Sequence, residues 1–358
     1  MNKHNSKNSS WIDLAKEARK HYESYVILSL DSKELLLTKN EIDQALMLFN
    51  TETEPIDISH FIEEQCSQNK TNLFGLAGEI YAHFDKEKSF DYFKLFQFYR
   101  FKDWINDIST NADKEKIYFN NKRDEGVTAY KFRDCSPYLF ADLTNNSITL
   151  SRPHCMNDPF DSLYSIWSKE DNLTNVIKDE THIPMFKKSF DYYRFCSFCI
   201  DNDAENTILR NILMWSHYAN KHEGICIKYK LKRNCINTDC SDNVYPPTLL
   251  HRIDYKSSGP ISVRNKSIKI GLAFAHKDPC WEYEKEARLI CYNATKEGDH
   301  DTMPYDEDIS IEAVYFGIKC SNENKAIIKK LLNGKNVKYY DMEYNYEDVY
   351  KMNPILEK

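Results

Sequence analysis

The spacing of apolar residues changes once along this chain, and that change limits the folds it can adopt. From residue 10 to about 108, apolar side chains recur every three or four positions, as in WIDLAKEARKHY, which is the period of an amphipathic helix. After the polar run STNADKEKIYFNNKRDEG, short strand-like segments alternate with helical ones. We therefore predict an α+β protein, with a helical region over residues 1–120 and a mixed α/β domain over residues 121–358.

Composition narrows the class of protein. The chain has 358 residues, of which 41% are hydrophobic and 29% are charged, an ordinary composition for a soluble protein. Its net charge of −7 argues against a broad nucleic-acid or membrane surface. The polar N-terminus MNKHNSKNSSW lacks a signal-peptide core, and no apolar run reaches membrane-spanning length. We expect a cytoplasmic protein that does not bind a membrane.

The cysteines are expected to be reduced thiols, because the chain carries eleven of them but no secretion signal. Cys196 and Cys199 form a CxxC pair, followed by Cys235 and Cys240. The pair lies in an aromatic, strand-like run, which would point its two sulfur atoms to opposite faces. We therefore favour buried free cysteines and predict no metal site.

Four stretches of the second region combine charged and aromatic residues. The first, YKFR, is predicted as a strand, with Lys131 and Arg133 on one face and Tyr130 and Phe132 on the other. The second, Asn157–Phe160, is an Asn-Asp-Pro-Phe loop, since Asn and Asp initiate turns and the proline keeps the preceding residue extended. Taken alone, each has a purely structural explanation.

The third stretch is a short helix followed by a glycine turn. In ILMWSHYANKHEGICIKY, the side chains of Trp215, His217, Tyr218 and His222 crowd the helix end before Gly224 leads into a strand. A helical Trp is usually part of the core, but His and Tyr present polar tips on apolar bodies. The two histidines are five residues apart, which does not place both on one helical face, so no metal site is predicted.

The fourth stretch, CWEYEKEARLI, places three charges at alternate positions. If the run is a strand, Glu284, Glu286 and Arg288 share one face. Two carboxylates that close repel each other and are costly to bury. They could be neutralised by Arg288 together with Lys131 or Arg133 across a sheet, which would be stabilising and chemically inert. Alternatively, they could receive a cationic substrate.

In this order, the four stretches resemble the bacterial "domain of unknown function 2971" family. That family is marked by a Tyr-Lys-x-Arg strand, an Asn-Asp-Pro-Phe loop, Met-Trp-x-His-Tyr-Ala followed by His-x-Gly, and Trp-x-Tyr-Glu-x-Glu-x-Arg. The late AVYFG run with Gly317 also fits. The resemblance covers roughly residues 128 to 350. Separately, NLFGLAGEIYAHFDKEKSFDYFKLFQFYRF resembles a tetratricopeptide helical hairpin, which implies a partner-binding role for the N-terminal region.

More distantly, the order of elements is similar to the ADP-ribosyltransferase fold, which has a split β core and uses NAD as substrate. The resemblance implies that Arg133 is the basic residue of the first strand, that Tyr218 or His217 is the aromatic position, and that Glu286 is the late glutamate, with Glu284 completing the pair. The chain lacks a clear Ser-Thr-Ser strand, which leaves the acceptor open. The NAD-binding residues implied are Tyr130, Lys131, Arg133, Asn157, Asp158, Phe160, Trp215, His217, Tyr218, His222 and Arg288.

The resemblance implies an enzyme that cleaves the nicotinamide–ribose bond and transfers ADP-ribose to a macromolecular target, as a toxin or antiphage effector. Glu286 and Glu284 would be catalytic, because a carboxylate stabilises the oxocarbenium-like transition state of such a cleavage. Two alternatives stay open. One is a non-catalytic nucleotide- or protein-binding module in bacterial defence or regulation, and the other is a metal-dependent nuclease using Asp158 with the two glutamates.

Overall fold

A computed structural model gives the fold of part of the chain. It describes residues 74, 75, 78, 86–110, 126–156, 191–200, 207–232, 248–255, 274–293, 298–305, 309–348 and 350–357. The predicted domain boundary near residue 120 and the Asn157–Phe160 loop both lie outside the described residues. No helix in the described ranges is long and apolar enough to cross a membrane.

The chain divides into two compact units. The first comprises Met1–Asp103, Trp167–Tyr192 and Val263–Lys266; the second comprises Trp104–Ile166, Tyr193–Ser262 and Ser267–Lys358. In the first unit, the described residues are mainly those of the long helix α1, Lys86–Thr110, up to Asp103. Phe74 stacks on Tyr99 with ring centroids 5.2 Å apart, and the Ser89 hydroxyl donates to the Gly78 carbonyl. The other helices predicted for residues 1–120 lie outside the described part.

The second unit is built on one mixed sheet, and the prediction of a mixed α/β region is confirmed. Its strands are β1 Val127–Arg133, β2 Ser147–Ser151, β3 Tyr193–Cys199, β4 Ile225–Leu231, β5 Thr248–Arg252, β6 Glu286–Tyr292, β7 His300–Pro304, β8 Ile309–Phe316, β9 Lys338–Tyr344 and β10 Met352–Leu356. Its helices are α2 Pro137–Asn145, α3 Thr207–Arg210, α4 Ile212–Tyr218 and α5 Asn322–Leu331, with 3₁₀ turns at Pro153–Cys155 and Pro279–Glu284.

The strand order is β10-β9-β8-β4-β1-β3-β2-β7, and β6 pairs with both β3 and β5. Pairing is antiparallel except between β8 and β9, which are parallel. Strand β3 is the branch point. One of its edges meets β1 at Cys199 and β2 at Phe195, whereas its other edge pairs with β6 along the whole strand. The sheet therefore divides at β3, and strand β6, which carries Glu286, lies beside that division.

Local sequence explains where the helices begin and end. Helix α2 starts with Pro137 at its first position after Ser136, and it ends at Asn146 in the left-handed conformation (φ 51°). Helix α5 is capped by the Ser321 hydroxyl, which accepts from the Asn324 amide. The chain then turns at Gly334, whose φ of +83° suits a residue without a Cβ.

One face of the sheet packs against helices α3 and α4. Tyr130 and Phe132 of β1, Cys199 of β3 and Trp215 of α4 belong to one buried apolar cluster on that face. Gly317 is required at its edge, because a Cβ there would lie 2.2 Å from the His222 carbonyl oxygen. This face also carries Glu286, so the packing of α4 positions the candidate site.

The cysteine prediction is confirmed for most of the described thiols. Cys196 and Cys199 are buried and free, and their spacing of three along β3 places them on opposite faces of the sheet. Burial is not general, however, because Cys155 and Cys280 are exposed. Both exposed cysteines lie in 3₁₀ turns rather than in strands.

Candidate functional site

Glu284 does not lie on the strand that carries Glu286, so the predicted alternation along one strand is wrong at its first position. Glu284 is the last residue of the 3₁₀ turn, and β6 begins at Glu286. The turn forms because the Asp278 carboxylate accepts from the Cys280 amide and Pro279 follows Asp278. Lys285, between the two glutamates, is left-handed with φ 46°. Even so, both carboxylates reach one cation.

That cation is Lys277, which the sequence patterns did not indicate. Its ammonium nitrogen lies 2.6 Å from Glu284 Oε2 and 3.1 Å from Glu286 Oε2. Arg288 binds Glu286 with two donors, Nε to Oε1 at 2.7 Å and Nη2 to Oε2 at 3.2 Å. We call these four residues, Lys277, Glu284, Glu286 and Arg288, the carboxylate cluster. The exposed fractions of these side chains, in the same order, are 7%, 3%, 4% and 0%. Because they are shielded from water, their charges are balanced by each other within the fold.

The surroundings of the two glutamates drive their pKa values apart. Burial raises the pKa of Glu284 above its usual range, against the opposing attraction of Lys277. Burial alone would also raise the pKa of Glu286, but Arg288 and Lys277 outweigh it and lower that pKa to about 2. Glu286 is therefore held as a carboxylate, and Glu284 takes up a proton more readily. Two carboxyl groups with separated pKa values are typical of acid–base sites.

Hydroxyl groups fix the orientation of both glutamates. The Tyr218 hydroxyl donates to Glu284 Oε1, and Ser197 is hydrogen-bonded to the Glu286 carboxylate. The Tyr255 hydroxyl accepts from the Glu286 amide at 2.7 Å. Tyr218 was predicted as a site residue, and the structure brings it together with the glutamate pair. Hydrogen bonds of this kind preorganise charged groups in enzyme sites.

Aromatic side chains lie at the solvent side of the carboxylate cluster. The Lys277 ammonium lies 5.0 Å from the centre of the Trp281 ring, and Tyr283 lies 6.0 Å from Trp281 between ring centroids. Exposed His217 is hydrogen-bonded through Nδ1 to the Tyr283 hydroxyl at 3.0 Å. We call His217, Trp281 and Tyr283 the aromatic rim. Asn211 supports it by donating to the Tyr283 carbonyl at 3.2 Å.

Arg133 is not part of this site. Tyr130, Cys199 and Glu286 are direct neighbours across β1, β3 and β6, so their side chains share one face. Arg133 lies three residues beyond Tyr130 and therefore points to the opposite face. There its Nη1 binds Asp142 Oδ2 at 2.9 Å. The expectation that Arg133 faces the glutamates is wrong, because the strand register places the Arg133 and Glu286 side chains on opposite faces of the sheet.

Two further residues of the first strand also have structural roles. The Lys131 ammonium donates to the Ser197 carbonyl at 3.0 Å and lies 5.5 Å from the centre of the Phe198 ring. Tyr130 is buried, with its ring 6.4 Å from that of Tyr315.

Trp215 is a core residue rather than a stacking platform. Its side chain is fully buried, its indole nitrogen donates to the Leu209 carbonyl at 2.8 Å, and its ring packs edge-on against Phe132 at 5.1 Å. His222 stacks beside it with ring centroids 6.4 Å apart. Burial, followed by the charge of Lys319, lowers the pKa of His222. The expectation that Trp215 offers a ring face to a ligand is wrong, because both faces lie inside the protein.

Four residues around the site were not predicted as site residues from the sequence: Lys277, Tyr255, Trp281 and Tyr283. Lys277 lies in FAHKDPCWEYE, and its only distinguishing signal is that it precedes a capped Asp-Pro turn. Nothing in its spacing to Glu284 or Glu286 reveals contact, because a 3₁₀ turn and a left-handed residue intervene. Asn157, Asp158 and Phe160 lie outside the described residues, so their predicted role stays a prediction.

The fold and site together define a mixed α/β domain with a buried, hydrogen-bonded carboxylate cluster on one face of its sheet. Residues 214–289 match the model of a protein family described as Protein of unknown function (DUF2971). The match supports the family resemblance drawn from the motifs, and it spans Tyr218 and the whole carboxylate cluster. No curated protein and no solved structure gives a significant match to the chain.

Proposed function

We propose that the carboxylate cluster is the catalytic centre of an ADP-ribosyltransferase-like enzyme that cleaves the nicotinamide–ribose bond of NAD. One observation carries the proposal: two glutamates contact the same ammonium nitrogen, at 2.6 and 3.1 Å, while their pKa values are driven in opposite directions. The two contacts limit the separation of the contacting oxygens to about 5.7 Å, which is comparable with the ~5–5.5 Å between carboxyl groups that act on one glycosidic bond in retaining enzymes. The division of the sheet at β3 is consistent with this fold class.

Each glutamate has a separate role in the proposed reaction. Ionised Glu286 stabilises the positive charge that spreads over the ribose as the nicotinamide departs, since a fixed carboxylate favours the transition state over the neutral ring. Glu284, with its raised pKa, accepts the proton of the attacking acceptor group. Tyr218 orients Glu284 by donating to Oε1. Nicotinamide leaves with the electron pair of the broken C–N bond, and ADP-ribose is joined to the acceptor.

The residues that fit NAD are those of the cluster and the rim. Trp281 and Tyr283 are partly exposed and offer ring faces to a pyridinium cation. Arg133 is excluded as the pyrophosphate clamp, because it is bound to Asp142 on the other face of the sheet. Trp215 is excluded as the stacking residue, because it is fully buried. The proposed site therefore omits Arg133 and Trp215 from the set that the ADP-ribosyltransferase resemblance implies, and it adds Lys277, Trp281 and Tyr283.

The test is nicotinamide release from NAD by the full chain, measured with and without a bacterial lysate as the source of acceptors. We expect Glu286→Gln to reduce release at least about a hundredfold, since removing one preorganised charge costs that much in comparable sites. Glu282→Gln is the matched control, because Glu282 lies in the same turn but is exposed. Equal release by wild type and Glu286→Gln, or no release from either, would reject the transferase.

The same proteins separate the alternatives. A non-catalytic binding module predicts saturable NAD binding with no release, unchanged in Glu286→Gln. A nuclease predicts magnesium binding that requires the two glutamates, yet both are already bound to Lys277 and Arg288, which disfavours it. A role as a toxin or antiphage effector predicts that induced expression arrests bacterial growth in wild type but not in Glu286→Gln.

A further inference from the structure

Away from the carboxylate cluster, three side chains of different chemistry converge where β2 meets β7. His154 and Cys155 lie in the 3₁₀ turn that follows β2, and Asp299 directly precedes β7. One ligand atom from each, an imidazole nitrogen, a thiol sulfur and a carboxylate oxygen, lies within 4.8 Å of both others. None of these residues was assigned a role from the sequence, and none belongs to the proposed catalytic centre.

We propose that His154, Cys155 and Asp299 form a binding site for a divalent ion of the zinc class. The donor set itself points to this ion, because nitrogen, sulfur and carboxylate oxygen are the ligands of zinc, whereas magnesium and calcium take oxygen alone. Three protein ligands leave the fourth tetrahedral position for a water molecule. The site would clamp the end of β2 to the start of β7.

The distances suit a tetrahedral ion. His154 Nε2 lies 3.3 Å from Asp299 Oδ1. Zinc bonds to nitrogen and oxygen of ~2.0–2.1 Å at tetrahedral angles require the two ligand atoms to be ~3.3–3.4 Å apart. A Zn–S bond of ~2.3 Å requires the sulfur to lie ~3.6 Å from each of the other two ligand atoms. The Cys155 sulfur already lies within 4.8 Å of both atoms, so only a small movement of Cys155 is needed.

The backbone that carries the three ligands is held in place. The Arg152 amide donates to the Asp299 carbonyl at 2.9 Å, which extends the β2–β7 ladder, and the Cys155 amide donates to the Arg152 carbonyl at 3.0 Å. Buried Arg194 donates through Nη2 to the Gly298 carbonyl at 2.9 Å. Such restraint lowers the ordering cost of binding an ion.

The Arg152 guanidinium competes with the ion for Asp299. The Arg152 guanidinium lies 3.6 Å from the same Asp299 oxygen that His154 approaches. Arg152 must give up that contact when a cation binds, which lowers the affinity of the site. The carboxylate is more than half exposed, so the guanidinium has solvent to move into.

The test is metal binding by the full chain, purified with a chelator and then titrated with zinc, cobalt or magnesium. We expect one equivalent of zinc, no magnesium, and a sulfur-to-cobalt charge-transfer band with cobalt. The band should vanish in Cys155→Ser, and zinc affinity should fall about tenfold or more in Cys155→Ser, His154→Asn and Asp299→Asn. Cys280→Ser is the matched control, because Cys280 is the other exposed thiol in a 3₁₀ turn among the described residues.

Folding is checked in the same samples, since zinc should raise the unfolding temperature of the wild type and of Cys280→Ser but not of Cys155→Ser. Zinc uptake that is equally strong in all three ligand variants would overturn the proposal, because the ion would then be held by other residues. Absence of stoichiometric uptake by the wild type would overturn it as well. Neither result depends on NAD cleavage, so this site and the proposed function are tested separately.

Discussion

Replacing Glu286 by Gln changes how stability depends on pH, and the sign of the change follows from the ion pairs of the carboxylate cluster. Arg288 and Lys277 lower the pKa of folded Glu286 to about 2, from an ordinary value of 4.5. A depressed acid pKa adds stability above the unfolded pKa, and this stability is lost as the pH falls through 4.5 toward 2. Glu286→Gln keeps the shape of the side chain but has no such proton equilibrium.

The size of the effect follows from the two pKa values. Between pH 6.5 and pH 3.5, a group with pKa 4.5 when unfolded and about 2 when folded loses on the order of 1 kcal/mol of stabilising free energy. At neutral pH, Glu286→Gln leaves buried Arg288 without its charged partner, which costs about 3–5 kcal/mol. The gap between wild type and variant should therefore be large at pH 6.5 and narrower by about 1 kcal/mol at pH 3.5.

The assay is urea unfolding of wild type, Glu284→Gln, Glu286→Gln and Glu282→Gln at a series of pH values. Glu284→Gln should keep the acid-induced loss, because the folded pKa of Glu284 is raised rather than lowered. Exposed Glu282→Gln should stay within about 0.5 kcal/mol of wild type throughout. Identical pH dependence for Glu284→Gln and Glu286→Gln would refute the assignment of Glu286 as the ionised member of the pair.

Three other substitutions test the placement of individual residues. Arg133→Met should lower the unfolding free energy by about 3 kcal/mol, because the buried Asp142 carboxylate loses its ionic partner. Nicotinamide release per folded molecule should stay unchanged. Trp215→Ala should cost about 3–5 kcal/mol in urea unfolding, as expected for a fully buried core aromatic and not for an exposed stacking platform. Gly317→Ala should cost at least about 2 kcal/mol in the same assay, because its Cβ would lie 2.2 Å from the His222 carbonyl oxygen.

Element types could be predicted from the sequence where a local signal was strong. The Ser136–Pro137 pair is a local signal for the start of α2, and the SNENKAIIKKLLNG run is one for α5, because capping and glycine termination depend on neighbouring residues only. The YKFR strand prediction is confirmed by β1, and short apolar runs with turn signals at their ends also mark β2 and β8. These assignments require no knowledge of what each element packs against.

The candidate site was harder to predict, because it depends on register and on one irregular residue. The alternation rule correctly placed Lys131 and Arg133 on one face of β1, but only the pairing of β1 with β3 and of β3 with β6 shows that Glu286 lies on the other face. Glu284 was assigned to a strand because a strand and a 3₁₀ turn ending in left-handed Lys285 leave the same pattern of charges in the sequence.

Charge balance explains how two glutamates remain buried together, and it restricts how the proposed reaction could begin. Lys277 and Arg288 match the two carboxylates, so the carboxylate cluster is neutral as a group. Arg288 is fully buried within β6 and also donates to the Phe274 carbonyl at 3.1 Å, whereas Lys277 lies between strands with its ammonium against the aromatic rim at Trp281. A cationic nicotinamide ring stacked on Trp281 would lie close to the Lys277 ammonium, which is 5.0 Å from the centre of the Trp281 ring. Because like charges repel, we expect binding of a cationic nicotinamide ring at the proposed site to require movement of Lys277.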